Sequence, residues 1–153
     1  MAKIPTVVPL MMAICFAPLF LGGRQAAPVS WSFEARPGRG GEATLLFTAT
    51  LAPGWHLYSQ HLAEGGPLPT RFRLEPADAF ICETPVGEKG AAHTYYDSLY
   101  GMDVTWYAGA VSFGQKIRLI KPVPAIRGTV EYMTCNDRIC IPCEEQFTIE
   151  LTP

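Results

Sequence analysis

The residues of this chain best suited to chemistry are cysteines near its C-terminal end. Cys135, Cys140 and Cys143 lie within the stretch TCNDRICIPC at 134–143, and Cys82 stands upstream. Thiols at this spacing can exchange disulfides with another protein, form a passive bridge, or ligate a metal ion. The choice depends on the backbone that carries them and on the compartment in which the chain works.

The spacing of the cysteines favours one pairing. Cys135 ends a predicted strand, and Asn136-Asp137 is typical of a turn. Opposed positions on the two arms of a hairpin lie about 4.5–5.5 Å apart, which suits a disulfide and predicts a Cys135–Cys140 bond. Cys140 and Cys143 also form a C-x-x-C pair. Pro142 indicates extended chain there, in which three residues separate the Cα atoms by about 10 Å, too far for a bridge.

Two other interpretations of the cysteines stay open. The bridge could be purely structural, although closing so short a loop would stabilise the fold by about 3 kcal/mol at most. The C-x4-C-x2-C spacing also matches the first three ligands of a plant-type [2Fe–2S] cluster, and the four cysteines named above could together ligate zinc. The printed sequence has no further cysteine after Cys143 to complete the cluster. We therefore expect neither a metal nor another cofactor.

The N-terminal residues have the pattern of an export signal. Lys3 provides a positive charge, the stretch 4–21 is uncharged and apolar, and small residues up to Ala27 offer a cleavage site. We expect 1–27 to be a signal peptide, or a membrane anchor if it is not cut, and 28–153 to form one domain. Only the uncut form would contact a membrane. Export places the thiols in an oxidising, periplasmic or other extracytoplasmic compartment.

Composition and pattern indicate an all-β domain. The formal net charge of −2, with no long basic run, argues against a nucleic-acid partner. Alternating hydrophobic residues separated by Gly- and Pro-rich turns predict seven to nine short strands in an immunoglobulin-like antiparallel β-sandwich. The predicted strands cover 30–34, 43–51, 55–58, 71–74, 104–107, 115–120, 129–132 and 146–151. The tyrosine-rich stretch 91–102 is predicted to be a turn-like loop that either packs against another part of the domain or covers something.

Several side chains are candidates for accessory roles. His56 and Tyr58 share a face of a predicted strand, an arrangement that is more often an edge contact than an acid–base pair. His93 could hold the loop at 91–102 in place or relay protons near the thiols. Cys143 and Cys82 could pair with each other, and Cys143 could trap a mixed disulfide.

Three motifs together resemble one known family. They are PGWHLY at 53–58, DSLYG at 97–101 and TVEYMTCNDRICIPCEEQFTIEL at 129–151. This combination is similar to the periplasmic N-terminal domain of the thiol:disulfide interchange protein DsbD. The resemblance runs from about Val29 to the C-terminus, and it implies an immunoglobulin-like sandwich that acts as a protein-disulfide reductase relay.

The resemblance also implies roles for individual residues. In the family the first cysteine of the hairpin resolves and the second forms mixed disulfides with thioredoxin-fold partners, roles that fall on Cys135 and Cys140. A separate protein, such as a membrane electron donor, would supply the electrons. A cap loop shields the cysteine pair until a partner docks. Its positions are occupied here by Asp97, Ser98, Leu99, Tyr100 and Gly101.

Overall fold

A computed structural model of the protein describes residues 27–151, in which all regular structure is β-strand. Within these residues there is no helix of the length and hydrophobicity needed to cross a membrane. Of the predicted export segment 1–27, only Ala27 is among the described residues. The nine strands are β1 (Val29–Pro37), β2 (Glu42–Leu51), β3 (His56–Tyr58), β4 (Arg71–Glu75), β5 (Phe80–Cys82), β6 (Gly87–Asp97), β7 (Met102–Leu119), β8 (Ala125–Cys135) and β9 (Cys140–Glu150).

The strands form one antiparallel sheet that folds over on itself. Its order is β1-β2-β7-β3-β8-β4, with β5 and β6 also paired to β7 and β9 paired to β8. Strands β1 and β9 do not pair, yet they face each other across the interior, where Phe33 stacks on Phe147 with ring centroids 4.2 Å apart. The short strand β3 lies between β7 and β8 and joins the half of the sheet that contains β1, β2 and β7 to the half that contains β4, β8 and β9. The described chain is therefore a β-sandwich, as its alternating pattern predicts.

The interior between the two halves is aromatic and aliphatic. Strand β2 shows why, since the pleat points every second side chain to the same side and places Leu45 and Phe47 in the core with no exposed surface. Phe113 of β7 is equally buried, and Trp31 of β1 packs against it with ring centroids 5.9 Å apart. Burying one such large side chain contributes roughly 1.5–3 kcal/mol, so the interior gives the site a rigid support.

Strand β7 is longer than the sequence pattern predicts. The expected strands 104–107 and 115–120 are parts of this one strand, which pairs with β3 at Trp106–Ala108 and with β2 at Ala110–Arg118. Between the two pairings, Gly109 has a φ of +71°. Such a conformation strongly favours glycine, and it gives the irregularity at which the strand passes from one half of the sandwich to the other.

The prediction of a loop at 91–102 is wrong for most of that stretch. Residues up to Asp97 belong to β6, which forms a hairpin with β7. Nearly all of β6 is exposed, so it lacks the hydrophobic alternation that marks a strand. Strand β5 was also not predicted, because three residues carry too little pattern.

Candidate disulfide exchange site

The two cysteines of the predicted pair close the β8–β9 hairpin. Cys135 ends β8, Cys140 begins β9, and the two are cross-strand partners joined by a disulfide with Cα atoms 4.1 Å apart. The turn between them is organised by Asn136, whose Oδ1 accepts the amide hydrogens of Arg138 and Ile139 at 2.9 Å each. The turn residues expected from the sequence thus bring the two sulfurs together, and the predicted bond is confirmed.

The two sulfur atoms differ in exposure. Cys135 is 1% exposed and packs with Tyr58 and Val104 in a small cluster separate from the main interior. Cys140 is exposed, and its neighbour Ile139 is 53% exposed. A thiol arriving from solvent therefore meets Cys140 before it meets Cys135.

The disulfide lies on a face to which several strands contribute. Directly paired residues point their side chains to the same side of a sheet. Cys135 is paired with His56 of β3, and two residues along β3, Tyr58 is paired with Trp106 of β7. Trp106 is in turn paired with His93 of β6. Side chains that are far apart in the sequence therefore share the face that carries the disulfide.

An open groove of about 830 Å³ runs along this face beside the disulfide turn. Its wall is built on Trp106, which stacks on His93 at a ring distance of 4.4 Å and contacts His56 at 4.8 Å. Three further large or charged side chains line it: Trp55, Tyr95 and Asp137. The groove thus places two imidazoles within one wall of the site.

His56 is the functional candidate that sequence reasoning undervalued. Its Nε2 is buried, and among the described residues it has no hydrogen-bond partner. Burial lowers the pKa of this imidazole below its ordinary 6.5, and the nearby carboxylate of Asp137 opposes that shift. The sequence signal was only that His56 shares a face with Tyr58. Pairing with Cys135 depends on the β3–β8 register, which no local pattern reveals.

The expected cap is a turn between β6 and β7 in which Ser98 and Tyr100 also lie. Asp97 ends β6, and its Oδ1 accepts the amide hydrogen of Leu99 at 2.8 Å. The amide of Gly101, which has a φ of +67°, donates to the carbonyl oxygen of Asp97 at 2.7 Å. Both hydrogen bonds join residues that are no more than four positions apart in the sequence.

The cap does not shield the disulfide in this structure. Leu99, the apolar side chain at its tip, is 83% exposed, and Cys140 is exposed as well. The resemblance implies that a cap loop shields the pair until a partner docks, and that role stays a prediction. A leucine held by a single turn makes too few contacts to bury the cysteine pair.

Tyrosines connect the cap to the floor of the site. Tyr58, which packs beside Cys135, is 4% exposed, and burial raises its pKa, with Tyr100 and Asp97 adding to the shift. The hydroxyl of Tyr95 donates to Asp97 Oδ2 at 2.9 Å. Burial and that hydrogen bond raise the pKa of Tyr95 to about 12. Tyr58 therefore has both the disulfide and the cap residues in its surroundings.

The other two described cysteines lie away from the exchange pair. Cys143 is the cross-strand partner of Tyr132 and packs against the main interior, on the opposite face of the hairpin from Cys140. Burial raises the pKa of the Cys143 thiol. Cys82 is exposed on β5, at the far end of β7 from the site, and neither is in a disulfide. A site made of all four cysteines is therefore incompatible with this arrangement.

The profile of the family described as thiol:disulfide interchange protein DsbD, N-terminal, matches residues 20–152. The chain belongs to this family. No curated protein matches the sequence of this DsbD N-terminal family member.

Solved structures similar to this DsbD N-terminal family member share its fold at low sequence identity. The N-terminal periplasmic domain of ScsB from Proteus mirabilis aligns with a TM-score of 0.57 and 17% identity over 80% of this chain, which spans only 45% of that one. The reduced DsbD N-terminal domain of Neisseria meningitidis aligns at 0.51 and 16%, over 71% of this chain and 78% of that one. A complex of the DsbD and PilB N-terminal domains, also from Neisseria meningitidis, aligns at 0.47 and 15%, over 86% and 88%.

Two conclusions follow from the comparisons. The immunoglobulin-like sandwich expected from the sequence is confirmed. Membership of the DsbD N-terminal family, with two cysteines joined across a hairpin, supports thiol–disulfide exchange as the general chemistry of the domain.

Proposed function

We propose that this chain is an extracytoplasmic relay that passes reducing equivalents to thioredoxin-fold partners through Cys135 and Cys140. The observation that carries the proposal is the disulfide itself, which joins an exposed sulfur to a buried one across the first pair of a hairpin. One sulfur can be reached by a partner and the other is held ready to release it. The pattern of residues 1–27 supports the compartment.

The exchange would take place in two steps, each a thiolate attack on a sulfur. In the reduced domain the Cys140 thiolate attacks a partner disulfide, so that a mixed disulfide forms and one partner thiolate leaves. Cys135 then attacks the Cys140 sulfur, restores the Cys135–Cys140 bond and releases the second partner thiolate. The second step is effectively unimolecular because the hairpin holds the two sulfurs together. Two electrons pass to the partner, and the domain ends oxidised.

The surroundings of the pair would control access and docking. The open cap, Asp97–Gly101, leaves Cys140 free to meet a partner sulfur, and the exposed side chain of Leu99 would contact that partner. Tyr58 would transmit the position of the cap to the floor beside Cys135, and His93 would support Trp106 in the groove wall. A thioredoxin-fold partner suits this site because its own redox cysteine is exposed and can approach a convex hairpin.

The reduction potential of the Cys135–Cys140 bond tests this function. A relay must equilibrate with its partners, so we expect a potential between about −300 and −180 mV, in the range of thioredoxin-like and isomerase couples. It is measured by equilibrating the protein with dithiol buffers and alkylating the free thiols. A potential well below about −300 mV would instead indicate a structural bridge in a non-catalytic interaction domain.

Trapping of the mixed disulfide tests the assignment of the two cysteines. The probe partner is a thioredoxin that keeps one active-site cysteine, activated as a mixed disulfide with an aromatic thiol. In a Cys82→Ser, Cys143→Ala background, Cys135→Ser should accumulate a disulfide with this probe, because neither protein keeps a second thiol that could resolve it. Cys140→Ser should accumulate none, since Cys135 is buried. The background variant that keeps both hairpin cysteines is the control, and it should release the probe through Cys135. Equal trapping by both hairpin variants would contradict the assignment.

A further inference from the structure

The buried position of Cys135 creates a chemical requirement of its own. A thiol must lose its proton before it can attack, and burial disfavours the charged thiolate. With 1% of its surface exposed, Cys135 is out of reach of a base in solvent. Its packing partners Tyr58 and Val104 offer no proton acceptor, since burial raises the pKa of Tyr58 and keeps it protonated. The resolving step therefore needs a base inside the fold.

One imidazole has the required position. His56 is the direct cross-strand partner of Cys135, and such partners have Cβ atoms about 4.5–5.5 Å apart on one face of the sheet. The backbone there is held by Thr134, whose Oγ1 donates to the carbonyl oxygen of His56 at 2.9 Å. The ring contacts Trp106 at a ring distance of 4.8 Å, and Nε2 has no hydrogen-bond partner among residues 27–151. An imidazole nitrogen without a partner is free to accept a proton.

The charges around His56 leave it neutral and able to accept that proton. Burial lowers its pKa below 6.5, so that the imidazole is unprotonated at neutral pH. Asp137, from the turn after β8, faces it and would stabilise the imidazolium formed by proton transfer. From β6, His93 and Tyr95 line the same groove, and from β3 itself Tyr58 contacts the ring at 5.3 Å.

We propose that His56 is the general base for Cys135 in the resolving step, an inference that rests on the proposed exchange function. The Cys135 thiol gives its proton to the imidazole, and the resulting thiolate attacks the sulfur of Cys140 in the mixed disulfide. The bond from Cys140 to the partner breaks, and the partner leaves as a thiolate. The imidazolium then returns its proton, through water in the groove, to that thiolate. In the reverse direction the same imidazolium protonates Cys135 as it leaves.

Stopped-flow mixing with one equivalent of a chromogenic aromatic disulfide separates the two steps. The fully reduced chain, with Cys82→Ser and Cys143→Ala to leave one thiol pair in the domain, should release chromophore in two phases. The first depends on reagent concentration and reports attack by Cys140. The second is independent of concentration and reports resolution by Cys135. Only the second phase should involve His56.

His56→Gln should slow the second phase by about a hundredfold at about pH 7, the lower end of the range for general-base catalysis, and leave the first unchanged. The gap should close as the pH rises past the ordinary thiol pKa of about 8.5, because the thiol then ionises unaided. His56→Asn is a second replacement in case the glutamine fits badly. His61→Gln, at an exposed imidazole on the loop after β3, is the matched control and should alter neither phase.

The pH profile of the unsubstituted pair gives an independent readout. Its second phase should level off above the imidazole pKa, whereas an unassisted thiol would keep speeding up about tenfold per pH unit to at least about pH 8.5. A second phase that rises this way, or that His56→Gln leaves unchanged or slows equally at every pH, would overturn the role of His56 and leave the exchange function intact. Absence of any second phase would instead remove the exchange function itself.

Discussion

Two hairpin turns lie at the site, and similar hydrogen bonds organise both of them. The disulfide turn (136–139) joins β8 to β9, and the cap turn (98–101) joins β6 to β7. Each is organised by a short polar side chain that accepts backbone amide hydrogens, Asn136 in the first and Asp97 in the second. Asn and Asp suit this task because their side-chain oxygens reach the amide two residues ahead.

The two turns differ in what lies beneath them. Cys135, at the base of the disulfide turn, is buried and paired on both sides, with Cys140 and with His56. At the cap turn, Leu99 is 83% exposed, and β6 beneath it pairs with β7 alone in the described chain. Regions with few buried contacts open at low free-energy cost. The sulfurs are therefore held rigidly, while the part that would admit a partner is attached weakly.

Removing the two organising side chains should separate the turns most clearly. Asn136→Ala should lower the free energy of unfolding by about 1–2 kcal/mol, because two amides of the disulfide turn lose their acceptor. Asp97→Ala should lower it by less than about 0.5 kcal/mol, since only one backbone amide, that of Leu99, loses its acceptor there. Denaturant unfolding of the oxidised proteins measures both.

Conservative replacements provide the controls for this comparison. Asn136→Asp and Asp97→Asn keep an oxygen acceptor and should recover most of the difference. Asp97→Ala should also speed hydrogen exchange at the amide of Leu99, which donates to the Asp97 carboxylate, more than at the amide of Gly101, which donates to the backbone carbonyl. A larger loss of stability for Asp97→Ala than for Asn136→Ala would show that the cap turn is the firmer of the two.

Lowering the pH should reduce the stability of the folded chain through His56, the cross-strand partner of Cys135. Its pKa is lowered in the folded chain, so below the ordinary value of 6.5 the unfolded chain takes up a proton that folded His56 does not. This contribution to stability is present above 6.5 and is lost as the pH falls through the folded pKa. We therefore expect His56→Gln to lose less stability than the unaltered protein between about pH 7 and pH 5. Unfolding by denaturant across that range measures it, and parallel losses would contradict the buried neutral state.

The smallest change in stability is expected at the tip of the cap. Leu99→Ala should change the free energy of unfolding by no more than about 0.5 kcal/mol, and it should not alter reduction of the disulfide by a small dithiol. Exchange with thioredoxin should slow about fivefold, as expected for loss of an interface contact of about 1 kcal/mol. Ile120→Ala, which alters another exposed apolar residue outside the site, is the control and should change neither rate. Unchanged thioredoxin exchange in Leu99→Ala would place the docking surface elsewhere.

Local pattern was sufficient for much of the fold and for the bond at the site. The alternation in β2, which places Leu45 and Phe47 inside, is visible in the sequence because it reflects the pleat of a single strand. Strand β6 escaped prediction because its exposed residues lack that alternation, and only hydrogen bonding to β7 makes it a strand. The continuity of β7 through Gly109 was missed for a similar reason, since a glycine marks either a turn or a bulge.

What the sequence by itself determined is the chemistry available, two cysteines separated by five positions around an Asn-Asp turn, since hairpin geometry links residues so close along the chain. Only the tertiary structure decided that Cys135 is buried, that Cys140 is exposed and that His56 stands opposite Cys135. These properties arise from pairing between strands such as β3 and β8, where Thr134 meets a residue 78 positions away. Contacts at that separation depend on how the whole sheet folds over, and no short segment of sequence specifies them.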